Sequence, residues 1–384
     1  MSKPPVVPLS VLDLSPISAG STAADALRNS IDLAVSAERL GYRRFWLAEH
    51  HLSAGVAGSA PHVLSALVAA ATSTIRVGTA ATILGNYRPI QVAENVGTIA
   101  AFHPGRVDLG FGRSGVPKAG LPHAAGAPAT APDAPADTAN RIVDGLVVPP
   151  PRPLFGRAFP ERFQLQARLL GRVPGDVDNF ENDVQDIIAF FAGTYRAEEG
   201  ATTAIHPAQG NPPQFWIHGS SAGPSARLAG KLGLPYGANY HVAPSAVLES
   251  VAEYRAHFEP SGLLDKPYVA VSADVLVAPT AAEAATVGAG FEHWVHSIRS
   301  GKGAIPYPAP EDAAGLPPLE PAERDLVRDR LDTRFVGDPA QVAEGLRSLR
   351  RATGADELLI TTIAHSQAHR IRSQELLAAA WGLG

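Results

Sequence analysis

The chain predicts an α/β protein, a (β/α)8 TIM barrel with long insertions at the carboxyl face. Two observations carry that expectation: helix-period and strand-period segments alternate along the chain, and eight candidate strands can be counted. Parallel βαβ units follow from alternation, and eight of them favour a closed barrel over an open sheet. In either arrangement ligands sit where the strands end, so residues just past each strand are the candidates for chemistry.

Residues Val6 to Leu14 form the first candidate strand, ending near Asp13. From Ala23 to Leu40, Leu27, Ile31, Ala34, Val35 and Glu38 recur at helical spacing and Gly41 supplies a stop. The run Arg44-Phe45-Trp46-Leu47 then leads into Ala48-Glu49-His50-His51, where a carboxylate and two imidazoles are costly to bury without partners. Residues Ser59 to Ser73 read as the next helix and Ile75 to Ala81 as a strand ending in small residues. Pro89 opens a helix through Ala101, and Arg106 to Arg113 is the fourth strand.

Residues 114–178 are rich in Pro, Gly and Ala and read as a long structureless insertion placed by the fourth strand over the presumed site, with Phe155, Phe159, Phe163 and Leu165 suited to packing in part of it. Helical spacing returns from Phe180 to Phe191. The remaining strands are Gln214 to His218, Pro235 to His241, Tyr268 to Val277 and Leu358 to Ile363, with a helix at Ser225 to Leu232. Residues 298–335 are expected to form a second irregular loop over the mouth. The whole of 1–384 is read as a single domain.

Composition narrows the function. There is no cysteine, which removes disulfides, thiolate metal sites and cysteine nucleophiles. The formal net charge of −5 comes without a basic stripe, so a nucleic-acid footprint is missing. Met1 to Pro5 carries no apolar signal core, and no run approaches the roughly 18 apolar residues of a membrane span, so a cytoplasmic protein is expected. Neither a P-loop nor a Gly-x-Gly-x-x-Gly fingerprint is present; Gly110-Phe111-Gly112 is only a fragment of the latter.

Several residue groups suit binding or proton transfer. Arg113, just past a strand end, suits a phosphate because guanidinium grips two oxygens at once, though a surface salt bridge is the plainer role. The turn Gly219-Ser220-Ser221-Ala222-Gly223-Pro224-Ser225 runs from strand to helix, where free N–H groups and hydroxyls suit an anion; Ser220, Ser221 and Ser225 serve equally as helix caps. His50 is of the residue type whose ordinary value lies near neutrality and suits acid–base work, with Glu49 orienting a histidine or a backbone group. A metal at Glu49-His50-His51 is disfavoured, since three consecutive residues do not readily converge on one ion. His241 and its neighbours Asn239 and Tyr240 end another strand and suit the pocket or the core equally.

These segments, in order, resemble the bacterial luciferase-like flavin monooxygenases: Ser10-Val11-Leu12-Asp13, Trp46 to His51, Val77-Gly78-Thr79-Ala80-Ala81, Gly110 to Arg113, and Phe335-Val336-Gly337-Asp338-Pro339 followed by Val342. The resemblance covers roughly 6–113 and 180–384, and 114–178 matches no pattern of the family. It implies a barrel that takes reduced FMN and O2 to oxygenate a small organic substrate, with the flavin supplied by a separate reductase. It further implies Ala80 and Ala81 against the flavin ring across a non-proline cis peptide, Arg113 and the serine turn at the phosphate, and His50 with Glu49 at the reacting edge. Asp13, His51, Tyr240 and His241 are expected around the substrate, and a homodimer is expected. A deazaflavin-dependent hydride-transfer enzyme and a non-catalytic flavin-binding or partner subunit are the alternatives.

Overall fold

The structure is a computed structural model that describes residues 7–113, 139–152, 161–172 and 178–383. Eight parallel strands form the core: β1 (Leu9–Asp13), β2 (Arg44–Leu47), β3 (Arg76–Ile83), β4 (Val107–Gly112), β5 (Gln214–Gly219), β6 (Tyr236–Asn239), β7 (Val269–Val277) and β8 (Glu357–Thr361). Each pairs with the next, β6 pairs with β7 and β8 with β1, so the sheet closes on itself. The protein is a (β/α)8 TIM barrel, and all eight strands coincide with segments expected from sequence.

Alternation along the strands sorts side chains into two layers. Leu9, Val11, Phe45, Leu47, Val77, Leu109, Ile217 and Val271 point outward and join the helices in one continuous apolar cluster. Leu12, Trp46, Trp216, Ala270 and Leu359 point inward and form a second cluster inside the barrel. Where the expected helices occur they end close to their signals. The first, Ala23–Arg39, starts on a reciprocal Thr22–Asp25 capping box and stops before Gly41 at φ 80°.

The amino-terminal end of the barrel is plugged by charge. Arg44, 1% exposed, donates to Glu357 at 2.8 Å and to the Gln214 side-chain oxygen at 2.7 Å, and lies 3.2 Å from Asp108. Arg76 also pairs with Asp108 at 2.7 Å, while the hydroxyls of Tyr268 and Ser10 donate to Glu357. Arg44 and Arg76 thus face Asp108 and Glu357, with the more exposed Arg43 4.0 Å from Glu357, a pairing that makes the buried charge tolerable.

Two expectations are corrected. Residues 298–335 are not an irregular loop. They contain the end of helix Phe291–Arg299, a short helix Pro310–Ala314, the helix Pro321–Asp332 and the start of a strand Phe335–Gly337 that pairs with β7. Pro310 and Pro321 sit at the first helical positions, where a missing N–H costs nothing, so both act as helix starters. The insertion is likewise not without structure. Arg141–Val143 and Leu146–Val148 form a hairpin turned by Asp144 (φ 51°) and Gly145 (φ 83°), and Glu161–Leu169 is a helix. Residues 114–138 and 153–160, with Phe155 and Phe159, and 173–177 lie outside the described residues.

Candidate active site at the carboxyl end of the barrel

The carboxyl ends of β2 to β6 bring most of the expected residues to one mouth. β3 carries the Ala80–Ala81 peptide, which is cis as the resemblance implies, and the β3–β4 register shifts between Thr79 and Thr82 around it. Ala80 packs on the inner cluster, and a Cβ on Gly112 of β4 would stand 2.9 Å from that of Ala81. The neighbouring ends of β3 and β4 therefore offer a seat without bulky side chains. A hydroxyl chain braces it: the Oγ1 atoms of Thr79 and Thr82 lie 2.9 Å apart, and Thr82 Oγ1 lies 2.9 Å from His62 Nε2.

Glu49 holds this corner together. One carboxylate oxygen accepts from the Ile83 N–H at 2.9 Å, and the other accepts from Asn86 at 2.7 Å and meets His51 Nε2 at 2.8 Å. The carboxylate is buried and its capacity is filled, so Glu49 ties the end of β2 to the turn after β3. It positions the site and does not face it. His51 is turned onto Glu49 and is a member of that tie, not of a substrate wall.

His50 is different. Its side chain has no hydrogen-bond partner among the described residues, and the ring is open to solvent yet ringed by protein. That surrounding, reinforced by the Arg162 and His51 charges and opposed by Glu49, pushes it down to about 4. His241, past β6, is held through Nδ1 by the Ser272 hydroxyl at 2.5 Å and is likewise pushed down to about 4 by burial. Among the lesser causes is the charge of His50, which places the two imidazoles within electrostatic reach of each other. Near pH 7 both are neutral and able to accept a proton.

The ends of β4 and β5 hold the anion-binding candidates. Arg113 follows β4, and its Nε and Nη2 both donate to Asp178, the former at 3.1 Å. The salt-bridge role foreseen beside the phosphate role is thus the one seen. After β5, Ser220, Ser221 and Ser225 line a half-exposed turn into helix Pro224–Lys231, whose amino end has no side-chain cap. Gly219 is required there, because a Cβ would meet the Tyr236 hydroxyl and crowd Ser225 at 3.3 Å. The serines therefore do not cap the helix, whose leading N–H groups are left without a side-chain partner, and the strand it follows pairs with the strand that ends at Arg113.

Two further expected pocket residues, besides His51, are elsewhere. Asp13 points out of the barrel and forms a buried pair with Arg370 at 2.5 Å, beneath helix Gln367–Trp381. Tyr240 also points outward, and its hydroxyl donates to the Val147 carbonyl of the hairpin at 2.6 Å. Both sit one residue out of phase with the inward positions, Leu12 and Asn239, so strand alternation was the signal that could have placed them.

Sequence reasoning missed His62 and His218. His218 lies on the inner face of β5, 7% exposed, between Trp46 and Trp216 at ring separations of 5.3 and 6.3 Å. Gly110 and Gly237 make room for it; a Cβ on Gly110 would stand 2.6 Å from Nε2, which has no hydrogen-bond partner among the described residues. Burial pushes both histidines down to about 4.

Comparison with known proteins converges on one family. The family model described as luciferase-like monooxygenase matches residues 7–357. A curated protein of Escherichia coli (strain K12), named luciferase-like monooxygenase, is 31% identical over 378 residues, 96% of this chain and 96% of its own. Among solved structures, apo-MsnO8 superposes with a TM-score of 0.77 at 30% identity, over 98% of this chain and 99% of that one. Two others are similar at identities that speak to fold alone. One is the oxygenating constituent of 3,6-diketocamphane monooxygenase of Pseudomonas putida, in complex with FMN, at TM-score 0.65, 18% identity and 97% of each chain. The other is an F420-dependent secondary alcohol dehydrogenase at TM-score 0.56, 14% identity, 98% of this chain and 99% of that one.

Proposed function

Because the chain belongs to the luciferase-like monooxygenase family, an oxidoreductase family, we propose that it uses reduced FMN and O2 to oxygenate a small organic substrate, the reduced flavin arriving from a separate reductase. The observation that carries this reading is the adjacency of two unlike half-sites on neighbouring strands. The small-residue seat at Ala80, Ala81 and Gly112 suits a flat ring, and the uncapped helix end with Ser220, Ser221, Ser225 and Arg113 suits a phosphate. The residues present fit the cofactor. Bound reduced flavin supplies the electrons for oxygen chemistry, which leaves the protein to orient, exclude water and move protons.

In this reading His50 Nε2 or Nδ1 takes or returns the proton at the reacting edge, since its imidazole is neutral near pH 7 and not engaged by other side chains. Glu49 acts through position, fixing the strand end from which His50 projects. Arg113 trades its Asp178 partner for phosphate oxygens or shares between them. Helix Glu161–Leu169 shelters the mouth beside His51.

The test is anaerobic titration with reduced FMN, reduced riboflavin and a reduced deazaflavin, followed by admission of air with product analysis across a panel of organic substrates. Preference for reduced FMN with substrate-dependent oxygen incorporation is the expected result. Failure to bind reduced FMN sinks the reading, and preference for the deazaflavin without oxygen uptake replaces it with hydride transfer.

A homodimer is proposed through helix Pro61–Ala71, whose outer face is apolar, with Val63 63% and Leu67 52% exposed and Ala70 beside them. Light scattering of the wild type and of Val63→Glu/Leu67→Glu checks it. A monomeric wild type is the contrary result.

A further inference from the structure

Arg162 stands at the rim of the mouth beside His50 and has no anionic partner among the described residues. Its Nη1 donates to the carbonyls of His51 at 3.0 Å and Leu52 at 3.3 Å, and its guanidinium lies over the Phe163 ring at 4.4 Å. These contacts fix the group without neutralising it. No carboxylate lies within salt-bridge distance of it among the described residues, Nε is buried without a partner, and burial disfavours the charge.

The place is built for it. Gly303, in the left-handed region at φ 85°, is the residue against which the guanidinium packs; a Cβ there would stand 3.1 Å from Cζ. The side chain thus fills a slot that a Cβ would crowd. A half-buried cation without a counter-ion is costly unless a ligand supplies the anion, and the neighbouring rim is apolar, with Leu52 47% and Ile305 37% exposed.

The flavin phosphate is not the anion in question. The phosphate candidates lie past β4 and β5, whereas Arg162 is bonded to the segment past β2, at a different part of the rim. We propose that Arg162 binds the carboxylate of the organic substrate, whose apolar body lies along Leu52 and Ile305 with its reacting carbon toward His50. The assignment rests on the monooxygenase reading for what happens at that carbon, and on the rim alone for what binds.

The test uses octanoate and 1-octanol as probes on the full chain, with oxidised FMN present in excess to occupy the phosphate candidates, read by calorimetry. In the wild type octanoate binds about tenfold or more tighter than octanol, a difference of about 1.4 kcal/mol, and the preference shrinks with added salt. Arg162→Gln abolishes the preference while octanol and FMN affinities stay; Arg162→Lys retains part of it; Arg168→Gln, on the same helix, changes nothing. Equal binding of the two probes to the wild type overturns the proposal, as does an unchanged preference in Arg162→Gln. Loss of FMN affinity in Arg162→Gln also overturns it, by assigning the residue to the flavin. If oxidised FMN does not bind the wild type, the probe comparison is read on the protein without flavin and decides the proposal in the same way, while the cofactor reading stands or falls on the reduced-FMN titration alone.

Discussion

Replacing His218 with Gln removes a buried titratable group and should flatten the acid side of the stability curve. The imidazole sits between Trp46 and Trp216 inside the barrel and is pushed from 6.5 down to about 4 by burial. A group with a depressed folded value keeps its full contribution above its unfolded value and loses it as pH falls toward the folded one. The window therefore runs from about pH 6.5 to about pH 4. At about 1.4 kcal/mol per unit, acidification from about pH 7.5 to about pH 5 costs the wild type about 2 kcal/mol through this one residue. Other groups titrate in the same range, among them Asp183, raised to about 6 chiefly by burial, whose effect has the opposite sign. The readout is therefore the difference between wild type and His218→Gln in urea-unfolding free energy, followed by tryptophan fluorescence at both pH values. A gap that closes by about 2 kcal/mol on acidification is expected. A gap that stays constant between the two pH values refutes the reasoning, because it means the ring is protonated as readily folded as unfolded.

Three further outcomes follow from the same contacts. Glu357→Gln leaves Arg44 with only Asp108 as a carboxylate partner in the barrel plug and should cost about 3 to 5 kcal/mol in chemical unfolding; a loss near zero would mean the charge is solvated. Arg113→Ala should weaken reduced FMN binding by about tenfold or more and reduced riboflavin hardly at all, since only the phosphate is addressed; an equal loss for both ligands argues against a phosphate role. Glu49→Gln should lower product formation while His50 itself is unchanged, through loosening of the Ile83 and Asn86 contacts. Its effect is read as weaker protection of the Ile83 amide from hydrogen exchange, and unaltered protection contradicts the positioning role.

Much of this was legible in one dimension. Phe45-Trp46-Leu47 before Glu49-His50 announced a strand end with polar cargo, and the structure places that cargo at the mouth. The order of strands and helices sufficed for the barrel because the strands bury an apolar outer face against helices that follow at βαβ spacing. Asp144-Gly145 between two short β-branched runs was a readable hairpin turn, obscured by the prolines around it.

What the chain determined by itself was therefore the architecture and the set of segments that end at one face, since periodicity and turn chemistry act over a few residues. What only the tertiary structure decided was which polar groups find one another. Asp13 meets Arg370 across 357 positions, Arg44 meets Glu357 across 313, and Arg162 reaches His51 across 111. Such pairings depend on barrel closure and on a one-residue phase within a strand, which turns a side chain from lumen to helix layer. No local pattern encodes the partner, so the neutral His50, the committed Glu49 and the unpaired Arg162 became distinguishable only once the barrel had closed.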